Sequence, residues 1–223
     1  MYQALVDRNG LSSFRDVLKK WLTDTPPGET RRPPILVQRL LTPLGPMIAA
    51  GSDAGLCLLE FPEPSRLPRQ LKRIDRLFQR PIAPGEHPIL EQTRREVAEY
   101  FAGTRSSFEV PLRLDGTNFQ RQVWNALLTI PFSATMSYRQ LARCIARKGA
   151  QRAVGRANGD NRFAIIVPCH RVVRSDGTLC GYGGGLWRKR WLLQHERRVV
   201  APPNFNNQHS TISNRHSGGR ANS

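Results

Sequence analysis

The chain has 223 residues, 39% apolar and 8% aromatic, which suffices for a core in one large or two small domains. Its 34 Lys and Arg against 17 Asp and Glu leave a formal charge of +17, which draws the molecule toward a polyanion, nucleic acid ahead of an anionic membrane face. No apolar run reaches transmembrane length, no secretory leader pattern opens the chain, and Cys57, Cys144, Cys169 and Cys180 are too scattered for a disulfide framework or a CxxC metal signature, so a soluble intracellular protein with free thiols and no metal is expected.

In chain order, apolar residues at 14, 17, 18, 21 and 22 behind Ser12 or Ser13 have helical spacing, and the Pro- and Gly-rich stretch to Pro34 ends that helix as a linker. Phe14, Leu18, Lys19, Lys20 and Thr25-Pro26 resemble the closing helix of an AraC-type helix-turn-helix module, of which only this tail is present; a generic amphipathic helix fits the same residues. From Ile35 to Phe61, apolar stretches separated by Pro43-Leu44-Gly45-Pro46 and Gly51-Ser52-Asp53-Ala54-Gly55 read as a small antiparallel meander. Two helices follow, Leu67 to Phe78 and Pro88 to Phe101, the second closed by Gly103.

Beyond Phe108 the pattern is mainly helical. Phe119 to Leu128 is amphipathic, Ser137 caps a helix to Ala146, and Ala150 to Ala157 forms another after Lys148-Gly149; the last two have the geometry of a helix-turn-helix. Ala153 and Gly155 allow a close backbone approach, while Arg152 and Arg156 carry charge toward phosphates or a base step. An apolar strand, Phe163 to Val167, leads to Cys169, and a last helix runs from Leu186 to Glu196. Residues 199–223 read as a disordered tail. The fold class is therefore α+β: a small N-terminal α/β subdomain with an antiparallel sheet over 35–107, then a mainly helical domain with a helix-turn-helix over 108–198.

The chemistry centres on Pro168-Cys169-His170-Arg171-Val172. Pro168 lacks a donor, fixes its own φ and holds Val167 extended, so the thiol is delivered on a rigid segment. A cysteine at such a rim near cations is expected to have a lowered pKa, although a small buried apolar residue at a strand end is the plainer reading.

Arg152-Ala153-Val154-Gly155, Asn161, Pro168-Cys169-His170-Arg171-Val172, Tyr182, Gly184-Gly185-Leu186, Lys189, Trp191-Leu192-Leu193 and His195-Glu196 closely resemble the O6-alkylguanine-DNA alkyltransferase family over residues 35–198. The resemblance implies a cytoplasmic, nucleoid-associated monomer that acts on double-stranded DNA containing O6-alkylguanine, without cofactor, metal or obligate protein partner. A flipped base would give up its alkyl group irreversibly to Cys169. A thiolate suits that carbon centre because it is a softer nucleophile than a carboxylate or hydroxyl.

By the same resemblance, His170 is the base acting through water, Glu196 orients it, Tyr138 donates to guanine N3, and Lys189 touches the loop of Tyr182 and Gly183 that closes the pocket. Arg152 replaces the extruded nucleotide, and Asn161 links the recognition helix to the nucleophile. Ser137 and Arg171 join the expected DNA-contacting set, and Val172 the pocket. Taken singly, Glu196 also reads as a surface helix residue, His170 as a satisfied polar group, Tyr138 as an ordinary amphipathic aromatic, and Lys189 as part of a solvated run.

Two departures stand out. Arg162 replaces the family's proline after Asn161, which predicts a looser turn with one more phosphate-seeking charge; Gly183 replaces a serine, which predicts a pocket tolerant of larger alkyl groups. Competing readings are a non-catalytic alkyl-DNA sensor, opposed by Cys169, and a fragment of an adaptive-response transcriptional regulator, suggested by residues 1–34.

Overall fold

A computed structural model of the chain describes residues 33–200. The helix read before the linker, with its AraC-type resemblance, and residues 201–223 of the tail lie outside the described residues, while Val199 and Val200, read as the start of that tail, instead end the last helix.

β1 (Ile35–Leu40), β2 (Met47–Ser52) and β3 (Gly55–Glu60) form the expected antiparallel meander, with Leu36 opposite Gly51 and Ile48 opposite Glu60. To this meander β4 (Ile82–Pro84) adds a parallel edge strand beside β1, Ile35 against Ile82, which makes the sheet mixed, in the order β3-β2-β1-β4. Three residues ending in Pro84 are too short to show a period, and proline confines such a strand to an edge.

Both faces of the sheet are covered, so β2 and β3 are buried throughout and read as continuous apolar runs. On one face α1 (Leu67–Phe78) turns Leu67, Leu71, Ile74 and Phe78 toward Ile48, Ala50 and Leu58. The other face carries α2 (Pro88–Ala102), capped by the His87 side chain and closed by left-handed Gly103. Helix and sheet meet closely at Gly51, where a Cβ would come 2.6 Å from Ile89 Cγ2.

The helical part contains α3 (Asn118–Leu128), α4 (Tyr138–Cys144), α5 (Gln151–Gly159) and α6 (Leu186–Val200). Thr117 with Gln120, and Ser137 with Gln140, satisfy backbone groups at the starts of α3 and α4 as capping boxes. The Trp124 indole donates to the Ala157 carbonyl at 2.9 Å and fixes α5, the second helix of the helix-turn-helix, on α3. β5 (Met136–Ser137) pairs parallel with β6 (Val172–Val173), which ties the start of α4 to the chain just after Cys169.

The strand expected over 163–167 is instead a tight turn touching β3 by a single Phe163–Leu59 bridge. Asn161 is the reason: its Oδ1 accepts from Phe163 N at 3.0 Å and its Nδ2 donates to Val167 O at 2.9 Å, taking groups that a neighbouring strand would need. Ile165 sits at φ 74°, a costly conformation for a β-branched residue that the surrounding packing enforces. One core cluster runs from Leu40, Leu56 and Phe61 through Trp124 and Val154 to Ile165, Val167 and Leu192, so the two parts share an interior.

Candidate active site

Cys169 opens a 3-10 turn, Cys169–Arg171, between the 163–167 turn and β6. It is 6% exposed, and its Sγ accepts from Asn161 Nδ2 at 3.1 Å. The expected low thiol pKa is corrected by this burial: desolvation pushes the thiol up, while the Asn161 amide and the Arg66 and Lys189 cations pull against it. Such a thiol needs a base.

His170 supplies one. Fully buried, it points Nε2 at Glu196 Oε1 at 2.7 Å, while Nδ1 has no hydrogen-bond partner among the described residues. Desolvation lowers the imidazole below its usual value, so it is neutral at pH 7; Nε2–H donates to the carboxylate, which places the proton on Nε2 and leaves the Nδ1 lone pair free. Glu196 also accepts from Arg171 Nε and Nη2 at 3.0 Å each, from the Tyr100 hydroxyl at 2.9 Å and from Ser133 N at 3.0 Å. Burial would raise this carboxyl, but the bonds from His170 and then Arg171 overcome it and lower the pKa to about 2. Helix α6 thus folds back over the nucleophile, as convergence of Glu196 with His170 required, and Glu196 is no surface residue.

Arg171 is corrected as a DNA contact: its buried guanidinium is spent on Glu196 and, through Nη1, on Ile130 O at 2.7 Å. Lys189 is buried too, not part of a solvated run, and its Nζ donates to Val172 O at 2.5 Å and Cys180 O at 2.7 Å. Val172 lies in the core beside Cys169. Tyr138 opens α4 with Cys180 beside it; burial and that neighbour raise its phenol, which stays a proton donor. The Tyr182 hydroxyl is buried without a partner among the described residues, its ring 6.4 Å from that of His170.

Arg152, Ala153 and Arg156 are exposed on α5, and Arg139, Arg143 and Arg147 on or just after α4. Gly155 faces Tyr138, 3.7 Å from a Cβ position to the ring, so the helix rests against the phenol. The Ser137 hydroxyl is engaged by Gln140 N as the α4 cap.

Both departures resolve differently from expectation. Arg162 neither loosens its turn nor seeks phosphate: wholly buried, it donates to Cys57 O at 2.8 Å, Asp115 O at 2.7 Å and Arg113 O at 2.8 Å, joining β3 and the 113–115 segment to Asn161. Burial lowers its pKa only to about 10, so it stays cationic. Gly183 opens no extra room, because the Arg66 guanidinium fills the space a side chain would take, with Nη1 2.8 Å from the Cβ position. Arg66, its partner Glu60, and Tyr100 had no local signal: Tyr100 reads as part of an apolar helix face, and the other two sit by a proline-rich bend in a distant part of the sequence.

Residues 37–114 match the family model described as 6-O-methylguanine DNA methyltransferase, ribonuclease-like domain, and residues 118–198 match the DNA binding domain of the same family. A methylated-DNA–protein-cysteine methyltransferase of Mycobacterium leprae is 41% identical over 71% of this chain and 90% of its own length; one of Shigella flexneri is 42% identical over 73% and 95%. The crystal structure of Mycobacterium tuberculosis OGT in complex with DNA superposes with a TM-score of 0.64 at 42% identity, covering 74% of this chain and 94% of that one. With a family model matched on each side of residue 115 and the buried Cys169, His170 and Glu196 brought together within the second, the chain belongs to the O6-alkylguanine-DNA alkyltransferase family, the methylated-DNA–protein-cysteine methyltransferases.

Proposed function

We propose that this protein repairs O6-alkylguanine in duplex DNA by transferring the alkyl group irreversibly to Cys169. The observation that carries the reading is the buried line from Asn161 through Cys169 and His170 to Glu196, set beneath a helix-turn-helix whose second helix exposes Arg152.

The exposed cations of α4 and α5 hold the phosphate backbone. Extruding the target nucleotide costs a few kcal/mol, and insertion of Arg152 offsets part of it. His170 Nδ1 takes the thiol proton through one water; Glu196, held by Arg171 and Tyr100, stabilises the imidazolium that forms. Sulfur attacks the alkyl carbon, the S–C bond forms as the C–O6 bond breaks, and the Tyr138 phenol donates toward guanine N3 as charge builds on the leaving base. The restored guanine departs and a thioether remains. That thioether is a poor leaving group, so each chain acts once. A non-catalytic sensor has no use for a positioned thiol with its own base.

The test is incubation with a duplex carrying a single O6-methylguanine, followed by intact and peptide mass measurement. One methyl gained on the Cys169 peptide, absent in Cys169→Ala, establishes stoichiometric transfer; tight lesion binding with no mass gain assigns the chain to the sensors.

A further inference from the structure

Arg66 immediately precedes α1 on the sheet side of the molecule, yet its side chain does not cap that helix and instead reaches the helical part. Nε donates to Glu60 Oε2 at 2.6 Å, Nη1 to Gly159 O at 2.6 Å at the end of α5, and Nη2 to Asn161 O. The Arg66 side chain is 13% exposed and its Glu60 partner 2%. The same Asn161 places its Nδ2 on Cys169 Sγ. On its other side the guanidinium packs against Gly183, and Gly184 packs on Phe61, 2.7 Å from a Cβ position to Cδ2, so the loop that bears Tyr182 rests on the sheet subdomain.

We propose that Arg66 is a positioning residue for alkyl transfer: it fixes Asn161, and through it the Cys169 thiol, and by occupying the space beside position 183 it makes glycine obligatory in the loop that closes the pocket. The proposal rests on the transferase reading. An arginine tip normally yields to an intruding Cβ, but this one is tied to three acceptors on two segments, β3 and the 159–161 turn, one acceptor being a buried carboxylate, and cannot swing away without leaving Glu60 unpaired. Its charge also opposes the upward push that burial gives the thiol.

The decisive experiment is a double-substitution cycle of Arg66→Ala and Gly183→Ala, with Arg66→Lys alongside. Two readouts are taken: single-turnover methyl transfer from O6-methylguanine duplex, and the pH dependence of Cys169 alkylation by iodoacetamide without DNA, read on its peptide. Thermal melts establish that each variant is folded. Gly183→Ala alone slows transfer roughly tenfold to a hundredfold, the scale expected for a small misplacement of reacting groups, and costs little further once Arg66 is alanine. Arg66→Ala moves the alkylation profile to higher pH, and Arg66→Lys, which keeps the charge but not the fork, moves it less.

Equal cost of Gly183→Ala in both backgrounds overturns the packing half of the proposal. An alkylation profile unmoved by Arg66→Ala, with only a lower melting temperature, reduces Arg66 to a structural residue. If wild type transfers no methyl, the transferase reading fails by itself, and the iodoacetamide cycle still decides whether Arg66 and Gly183 position the thiol.

Discussion

Cys169 and His170 are both buried in forms that carry no charge, and the pair works because each is pushed in the direction that keeps it neutral before substrate arrives. Little thiolate is present in the free protein at neutral pH, so reactivity is confined to the moment when an alkyl carbon is in reach. Iodoacetamide modification of Cys169 in DNA-free protein is therefore expected to keep rising above pH 9, the usual value for the thiol, as measured by peptide mass against pH. Glu196 holds the charge that the imidazolium needs. Glu196→Gln keeps the shape but leaves Arg171 without a counter-charge; single-turnover transfer should fall roughly a hundredfold or more, and stability by roughly 3–5 kcal/mol in urea titration. The nucleophile and base were legible in the sequence because they are adjacent, whereas the orienter Glu196, 26 residues on, was legible only through the family resemblance. Arg171 was named with the wrong surroundings, since a lone arginine looks solvated until the carboxylate and carbonyl around it are known.

At the scale of elements, the helix-turn-helix was readable from caps and spacing, because Ser137 and Gln140 act within one turn of chain. The recognition helix α5 should separate DNA handling from chemistry. Arg152→Ala is expected to slow transfer from duplex while leaving transfer from free O6-benzylguanine unchanged, measured in parallel single-turnover assays; Arg156→Ala should reduce the slope of log affinity against log salt by about 0.9 if it holds one phosphate. The 163–167 turn was not readable, because Phe163 to Val167 has strand composition and only the Asn161 side chain diverts it. Arg162 belongs to that turn. Arg162→Ala removes the donor for three backbone carbonyls, one fully buried and two partly so, and a loss of roughly 3 kcal/mol is expected by denaturant titration.

Across the whole molecule, the shared core and the Arg66 and Arg162 bonds join the sheet to the helical part. The described residues should therefore unfold in one transition, with hydrogen exchange in β2 and in α3 giving the same midpoint. Acid should break the molecule before alkali does. The Glu196 carboxyl is lowered from 4.5 to about 2, so its contribution, on the order of 3 kcal/mol, is complete above pH 4.5 and lost as pH falls toward 2; His170, also lowered, adds a loss of the same sign that begins below its usual 6.5. Urea midpoints measured from pH 7 down to pH 3 test the sign, and a midpoint that rises on acidification would contradict it. By itself the sequence determined what depends on neighbours along the chain: the helices and their caps, the meander, the basic recognition helix and the Cys169-His170 pair. Tertiary structure alone decided which cations are buried, what fills the space beside Gly183, and that Tyr100, through Glu196, and Arg66, through Asn161, back the Cys169-His170 pair. Burial and counter-charge depend on groups 95, 96 and 105 residues away, and no local pattern encodes a partner at that distance.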